Sequence, residues 1–167
     1  MMKKLILLLL TVVIASVPMS AKKHRTMNDW DGYQISAVKV GADGTKLVKV
    51  WGYGKNIKKA ILQAKKNAVH ACLFQGVPGT ETVAGIPALC RQQDVVTENE
   101  SYFEFFFADD GEYLKYLNVT TDTIPSGADM RKVRGGYKVA LYVQVLYDNL
   151  REKLEDDGII KGLSHGF

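Results

Sequence analysis

The chain has 167 residues, a formal net charge of +4, and contents of 47% hydrophobic and 24% charged residues. This length is typical of one domain, and this composition excludes a wholly disordered chain. Its 15 glycines and 4 prolines exclude collagen-like and proline-rich classes, and its 2 cysteines exclude a disulfide-dense miniprotein or a four-thiolate zinc site.

The N-terminus has the three parts of a secretory signal peptide. Lys3 and Lys4 precede an uninterrupted apolar run at 5–15, and a boundary of mainly small residues ends at Ala21. The run is shorter than the roughly 20 residues that a membrane-spanning helix needs, so we expect cleavage after Ala21 rather than an anchor. No cysteine lies near this boundary, so we expect no lipid on the N-terminus. The sequence therefore predicts an exported protein, periplasmic or secreted.

Cleavage would leave 146 residues, and because residues 1–21 contain Lys3 and Lys4 and no acid, the net charge would fall from +4 to +2. We divide the chain into a signal peptide at 1–21, a polar leader at 22–31 and a single domain at 32–167. Nucleic-acid-binding domains usually carry strong, clustered positive charge, so we expect no nucleic-acid partner. We also expect no membrane-spanning segment after signal removal.

The first part of the domain predicts a β-hairpin. Residues 33–40 alternate, residues 47–53 are rich in β-branched and aromatic side chains, and the cluster at 41–44 between them contains Asp-Gly.

The clearest helix is predicted at 57–75. One of its faces is rich in small side chains, which would let the helix lie close to its neighbour, and Gly76 and Pro78 would end it. The opposite side carries lysines with Leu62, Val69 and Leu73 among them, so either lysine stems or another element would cover it. The predicted inner stripe is Ile57, Ala60, Ile61, Ala64, Ala68, Ala71 and Cys72.

The remaining elements predict an α+β fold, a mainly antiparallel sheet with the long alanine-rich helix and shorter helices packed on one face. We expect an irregular loop at 76–99, and we expect the tail at 159–167 to dock on the domain. The other predicted elements are an aromatic helix at 100–108, strands at 113–121, near 130–133 and at 137–146, and a helix at 149–156 capped by Asp148.

Cys72 and Cys90 are a candidate disulfide. An even number of cysteines in an exported protein favours a bond, and two allow one connectivity, which would tie the long helix to the loop at 76–99. The alternative is that Cys72 is a small buried side chain of the alanine stripe. No base accompanies either cysteine, so we do not expect a catalytic thiol.

Other polar motifs favour structural interpretations. The histidines, His24, His70 and His165, lack metal-ligand spacing and are interpreted as surface residues. The Gly52-Tyr53-Gly54-Lys55 segment lacks the full phosphate-loop pattern and is interpreted as a tight turn.

An acidic segment in the middle of the chain is interpreted as solvated, with paired-carboxylate hydrolysis or calcium binding as alternatives. It comprises Asp94, Glu98, Glu100, Glu104, Asp109, Asp110 and Glu112. We therefore assign no catalytic, cofactor-binding or metal-binding residue.

A dense aromatic segment is the candidate interaction surface. Such residues are more often core than ligand site, but five aromatics in six positions require some to face outward or to meet a partner. This Phe segment comprises Tyr102, Phe103, Phe105, Phe106 and Phe107.

Two stretches carry a family resemblance. The strand VKVWGYG runs into a helix with Ala60, Ala64, Ala68 and Ala71, and a second strand and helix follow in YKVALYVQVLYDNLREKL. The pattern resembles the small envelope domains of LPP20-type lipoproteins, the N-terminal domain of flagellar assembly protein T, and uncharacterised exported proteins of Bacteroides-type bacteria. The resemblance implies an α+β domain without catalytic residues that serves envelope structures or binding. The chain departs from it by lacking a lipobox cysteine and by inserting the 76–99 loop.

These observations predict an exported, non-enzymatic module that binds an envelope or secreted protein, through the 76–99 loop or the Phe segment. The alternative is a small periplasmic ligand-binding protein or weak hydrolase that uses the 76–112 region, with a pocket lined by the Phe segment. A secreted inhibitor or toxin-like factor is a third interpretation. The partner and the oligomeric state are left open.

Overall fold

A computed structural model describes residues 33–41, 43–120 and 124–162. The expected signal peptide at 1–21, its cleavage after Ala21, and the polar leader at 22–31 lie outside the described residues. So do His24, His165 and the end of the tail at 163–167.

The predicted hairpin is confirmed. Strand β1 spans Ile35–Val40 and strand β2 spans Thr45–Gly54, and the two pair antiparallel. Asp43 and Gly44 have φ values of 59° and 68°. Consecutive residues with positive φ are what a tight Asp-Gly hairpin turn requires, so the local sequence sets the register of the two strands.

Helix α1 spans Ile57–His70 and continues as a π-helical turn at Ala71–Gln75. Asn56 begins it, because its side-chain oxygen accepts a hydrogen bond from the Lys59 N–H at 2.9 Å. A β-carbon at Gly52 would collide with backbone atoms of Ala60 and Ala64. The missing side chain at Gly52 and the small ones on the helix therefore let α1 lie directly against β2, as the alanine stripe predicted.

Two predictions for the middle of the chain need correction. The helix expected at 100–108 is present as α3 at Glu100–Phe106, but the loop expected to be irregular over 76–99 ends in a further short helix, α2, at Val95–Glu98. The strand expected at 113–121 is a 3₁₀ helix at Glu112–Tyr116 followed by strand β3 at Leu117–Val119. The physical reason is packing, because the 3₁₀ turn places the fully buried Tyr113 ring in a stack with Phe107.

The last part of the chain follows the predicted order. Strand β4 spans Met130–Val133, strand β5 spans Gly136–Leu146, and helix α4 spans Tyr147–Asp156. The expected cap at Asp148 is wrong, because α4 starts directly from the end of β5 and Asp148 lies in its first turn.

The five strands form one antiparallel sheet in the order β1-β2-β5-β3, and β4 also pairs with β5. Strands β3 and β4 lie end to end along β5, because β3 pairs with 143–145 and β4 with 136–139. The fold is therefore α+β, as predicted.

The two faces of the sheet have different roles. The inner face lies under α1 and supplies the hydrophobic core with Ala37, Val48, Val50, Leu141, Val143 and Val145. The opposite face, here called the outer face, carries Leu47, Lys49, Trp51, Tyr53, Lys138, Ala140, Tyr142 and Gln144. Of these outer-face residues only Ala140 is buried, at 2% exposure, and none belongs to the hydrophobic cluster under α1. Among the described residues, no helix is long and apolar enough to cross a membrane.

Candidate functional site

The Phe segment lies mostly inside the protein. Phe103, Phe106 and Phe107 are buried, and Tyr102 is half-buried with its hydroxyl donating to Asp157 Oδ2 at 2.6 Å. Phe105 is 79% exposed. The candidate interaction surface at this segment therefore narrows to Phe105 and the accessible part of Tyr102.

The buried rings cover the second side of α1. Phe74 meets Phe103 edge to face, with ring centroids 4.9 Å apart, and Phe107 lies 6.2 Å from the His70 ring. Val69 and Leu73 are fully buried beneath this layer. The sequence left open whether lysine stems or another element would cover this side of α1. Most of the cover comes from a packed element, the aromatic rings of α3 and of the residues around it.

The interpretation of His70 as a surface histidine is wrong. His70 is 3% exposed, and its Nδ1 lies 2.8 Å from the Tyr33 hydroxyl. Burial raises the pKa of Tyr33 well above its ordinary value, so this hydroxyl keeps its proton. The lysines around His70 suggested solvent, whereas the rings of Phe74, one turn further along, and of the distant Tyr33 and Phe107 surround it.

The two cysteines lie on adjacent, hydrogen-bonded segments. The Leu89 N–H donates to the Cys72 carbonyl at 3.0 Å, and the Cys90 N–H donates to the Leu73 carbonyl at 2.8 Å. Both cysteines are buried and are free thiols, so the predicted disulfide is not formed in this structure. Burial raises the pKa of each thiol to about 12, which keeps both protonated and unreactive at neutral pH.

Several carboxylates of the acidic segment have lysine partners. Asp109 Oδ1 lies 2.7 Å from Lys66 Nζ, and this hydrogen bond lowers the pKa of Asp109. Glu112 pairs with Lys115 at 3.2 Å and with Lys153 at 3.7 Å. Within the described ranges, no group of three His, Cys, Asp or Glu side chains is placed to hold a metal ion.

The glycine motif at 52–55 serves packing. Gly52 and Gly54 are the last inner-face positions of β2, and a β-carbon at either would collide with the backbone of α1. The backbone of α1 occupies the space that a side chain would fill. The segment is therefore a close strand-to-helix junction, which agrees with the structural interpretation.

The outer face is the surface that sequence reasoning missed. Its lysines lie over its aromatic rings, with Lys138 Nζ 5.1 Å from the Trp51 ring centroid and Lys49 Nζ 5.0 Å from that of Tyr142. Cations over ring faces are attracted by the negative face of the ring. Lys49 also pairs with Asp129 at 2.7 Å, and this hydrogen bond raises the pKa of Lys49. Lys49 therefore remains positively charged at neutral pH.

The strands that build this face are free of acid. They contain Lys39, Lys46, Lys49, Arg131, Lys132 and Lys138, and no Asp or Glu. The sequence signal for the outer face was the strict alternation in β2 and β5, which separates Lys49, Trp51 and Tyr53 from Val48 and Val50. The paired strand, however, could not be identified from spacing.

A cleft of about 480 Å³ lies where the outer face meets the start of β1 and the residues that follow α1. Trp51, Lys49, Gln34 and Ser36 line it from the strand side, and Gln75 and Pro78 line it from the other. Lys138 Nζ donates to Gln34 Oε1 at 2.9 Å and so lies at its margin. The cleft combines the rings of Trp51 and Tyr33 with amide, hydroxyl and ammonium groups.

Comparison with known proteins finds no matching family model, no matching curated protein and no matching solved structure. The resemblance to envelope domains stays a prediction, and the assignment of function depends on the geometry of the outer face.

Proposed function

We propose that the chain is an exported, non-catalytic binding module that contacts an envelope or secreted partner through the outer face of its sheet. The observation that carries this proposal is the composition of that face. It combines Trp51, Tyr53 and Tyr142 with lysines, and the strands that form it contain no acid.

The outer face is better suited to a partner than the Phe segment is. Three of the five aromatics in the Phe segment are needed for the core, so exposing them would expose apolar surface and weaken the fold. The aromatics of the outer face lie outside the core, and Tyr53 is 51% exposed. Aromatic side chains that the core does not need are the kind that protein surfaces use as binding anchors.

The 76–99 loop supplies the margin of this surface. A bridge between Val77 and Ile86 closes the turn around Thr80 and Val83, which pair through a backbone hydrogen bond of 2.8 Å. Residues 78–82 are exposed, and Pro78 lines the cleft. The loop therefore supports the proposal by widening the outer face at one edge.

Support for export comes from the sequence alone, through the basic start, the apolar run and Ala21. Export would place the outer face among cell-envelope polymers and secreted proteins. Catalysis has no support from the described residues, where Asp109 and Glu112 are paired with lysines rather than converging on a cleft.

Sedimentation with the insoluble envelope fraction of the source organism tests the proposal. The mature chain, residues 22–167, is expected to sediment with this fraction. The double variant Trp51→Ala, Tyr53→Ala is expected to remain in solution, because it removes two rings that the core does not use. Circular dichroism and the thermal unfolding midpoint check that this variant is folded.

The matched control is Phe105→Ala, which removes an exposed aromatic from α3 rather than from the sheet. It is expected to sediment like the unmodified chain. Equal sedimentation of the outer-face variant and the unmodified chain would contradict the proposal. Loss of sedimentation only in Phe105→Ala would move the contact surface to the Phe segment.

A further inference from the structure

The cleft beside Trp51 is open to solvent, and its lining mixes aromatic and polar groups. Its volume of about 480 Å³ lies within the range of roughly 300–1,000 Å³ that is usual for ligand pockets. Such pockets combine apolar or aromatic walls with a few polar groups that orient the ligand. Here the aromatic walls are Trp51 and Tyr33, and the polar groups are Gln34, Ser36 and Lys49.

The Trp51 ring has a small neighbour across the strand pair and a cation over its face. Ala140 lies opposite Trp51 in the strand register and is 2% exposed. Lys138 Nζ lies over the ring, 5.1 Å from its centroid. The part of the ring that lines the cleft is therefore the part that a ligand can reach.

The polar groups near the Trp51 ring have defined orientations. Lys138 donates to Gln34 Oε1, so the amide NH₂ of Gln34 is directed away from the lysine and can donate to a ligand oxygen. The Ser36 hydroxyl can both donate and accept. A planar ring beside an amide donor and a hydroxyl matches a sugar, whose C–H groups meet the ring and whose hydroxyls take the hydrogen bonds.

The charge at the cleft selects an acidic ligand. Asp129 pairs with Lys49, but within the described part of the chain no carboxylate pairs with Lys138. A ligand carboxylate near Lys138 would therefore meet an ammonium group that no described carboxylate already pairs. A nucleic acid strand would instead need an uninterrupted row of cations that follows its phosphates, whereas Asp129 lies beside Lys49 and interrupts the positive charge of this face.

We infer that the cleft formed by Trp51, Gln34, Ser36 and Lys49, with Lys138 at its margin, binds an acidic oligosaccharide whose sugar rings carry carboxylates. This inference rests on the proposed function and names the chemistry of the partner. One sugar ring packs against the part of Trp51 that lines the cleft, its hydroxyls bond Gln34 and Ser36, and its carboxylate pairs with Lys138.

Fluorescence of Trp51 tests this inference directly. The chain contains 2 tryptophans, Trp30 and Trp51, so a Trp30→Phe background leaves Trp51 as the single reporter. Titration of the mature chain with tetragalacturonate is expected to change Trp51 emission in a saturable way. Fully methyl-esterified tetragalacturonate, which has the same rings without charge, is expected to bind at least tenfold more weakly.

Variants that remove one positive charge identify the residue that binds the ligand carboxylate. Lys138→Gln in the same background is expected to weaken tetragalacturonate binding about tenfold, the size of one charge-assisted hydrogen bond. Lys115→Gln removes the same charge from a lysine on the 3₁₀ helix and is expected to leave binding unchanged. Unfolding midpoints show that both variants remain folded.

The outcomes separate this inference from the proposed function. If tetragalacturonate leaves Trp51 emission unchanged, or if acid and ester bind equally, the acidic-sugar site is wrong, even where Trp51 and Tyr53 still control sedimentation. Tighter binding of an octathymidylate than of tetragalacturonate would assign the cleft to nucleic acid and also overturn the inference. Sedimentation independent of both rings would overturn the proposed function instead.

Discussion

Asn67 Nδ2 donates a hydrogen bond of 2.9 Å to the backbone carbonyl of Trp51, directly behind the ring that we propose to contact the ligand. Asn67 is 4% exposed and its Oδ1 accepts from Gln63 Nε2 at 2.8 Å. This polar contact fixes helix α1 to strand β2 where close packing leaves no room for larger side chains. It also couples the helix to the outer face through a single peptide group.

We expect Asn67→Ala to lower the free energy of unfolding by about 1–3 kcal/mol, because the buried Asn67 side chain is lost and the part-buried Trp51 carbonyl loses its donor. Gln63→Ala removes only the neighbouring half-buried contact, and a loss of about 1 kcal/mol or less is expected. Urea unfolding of both variants measures the difference. Equal losses would show that the Asn67–Trp51 hydrogen bond contributes no more to the free energy of unfolding than the Gln63–Asn67 contact does.

We expect Gly52→Ala to destabilise the fold by about 1–3 kcal/mol or more, the usual cost of overpacking a filled interior. The added β-carbon meets the backbone of α1 at Ala60 and Ala64, which cannot move without shifting the whole helix. Thermal unfolding of this variant and of Tyr53→Ala gives the comparison. Tyr53→Ala changes the next residue on the opposite face and is expected to have the smaller effect.

We expect Cys72 and Cys90 to resist iodoacetamide in the native protein and to react together in denaturant. Both thiols are buried, and burial raises the pKa of each to about 12. Intact mass after labelling, without added reductant, counts the modified thiols. A denatured protein that takes no label and has lost two hydrogens would instead carry the disulfide that the sequence predicts.

We expect stability to fall as the pH drops below about 4, in part through Asp157. Burial would raise the pKa of Asp157, but hydrogen bonds from Lys153 and Tyr102 outweigh it and lower that pKa. A carboxylate with a depressed folded pKa stabilises the fold above its unfolded pKa, and this contribution is lost as pH falls through the folded value.

The variant Asp157→Asn is expected to be less stable at pH 7 and to lose stability less steeply between pH 5 and about 2. Asp156→Asn removes a charge from the adjacent exposed position and is expected to keep the steeper slope. Urea unfolding across this pH range measures both. Parallel curves for the two variants would exclude a role for Asp157 in acid sensitivity.

We expect the exported protein to begin at Lys22. A signal peptidase site needs a small residue before the cut, so Ala21→Trp is expected to leave the chain longer by residues 1–21. Signal peptidase sites also favour a small residue two positions before the last one, where this chain has Met19. Met19→Ala is therefore expected to be cut at the same bond. Mass spectrometry of the N-terminal peptide distinguishes these products, and an unprocessed native chain would contradict the export assignment.

The local patterns of the sequence were sufficient for the elements with strict periodicity. Asp43-Gly44, the alternation at 137–146 and the alanine stripe of α1 each depend on near neighbours, and the structure confirms the hairpin, the strand and the buried helix face. The 113–121 segment was misjudged because Tyr113 packs against Phe107 rather than extending in a strand.

The candidate site depended on long-range pairing and could not be predicted in the same way. Trp51 and Ala140 are 89 positions apart in sequence, and their opposition exists only because β2 pairs with β5 in one register. The same holds for Lys138 and Gln34, which lie at a separation of 104 residues. His70 was misjudged for a related reason, since its cover comes from Tyr33 and Phe107.

The close packing of β2 against α1 at Gly52 limits which residues of this protein can change in related sequences. Gly52 admits almost no replacement, because a β-carbon there would collide with the backbone of α1 at Ala60 and Ala64. Ala60, Ala64 and Ala68 are fully buried, so a larger side chain at any of them would overpack the core. The alternate positions of β2, Lys49, Trp51 and Tyr53, lie on the outer face, so their side chains take no part in the packing of β2 against α1. Related sequences are therefore expected to keep Gly52 and the alanines of α1 and to vary at the outer-face positions. The same fold could then bind different ligands without a loss of stability.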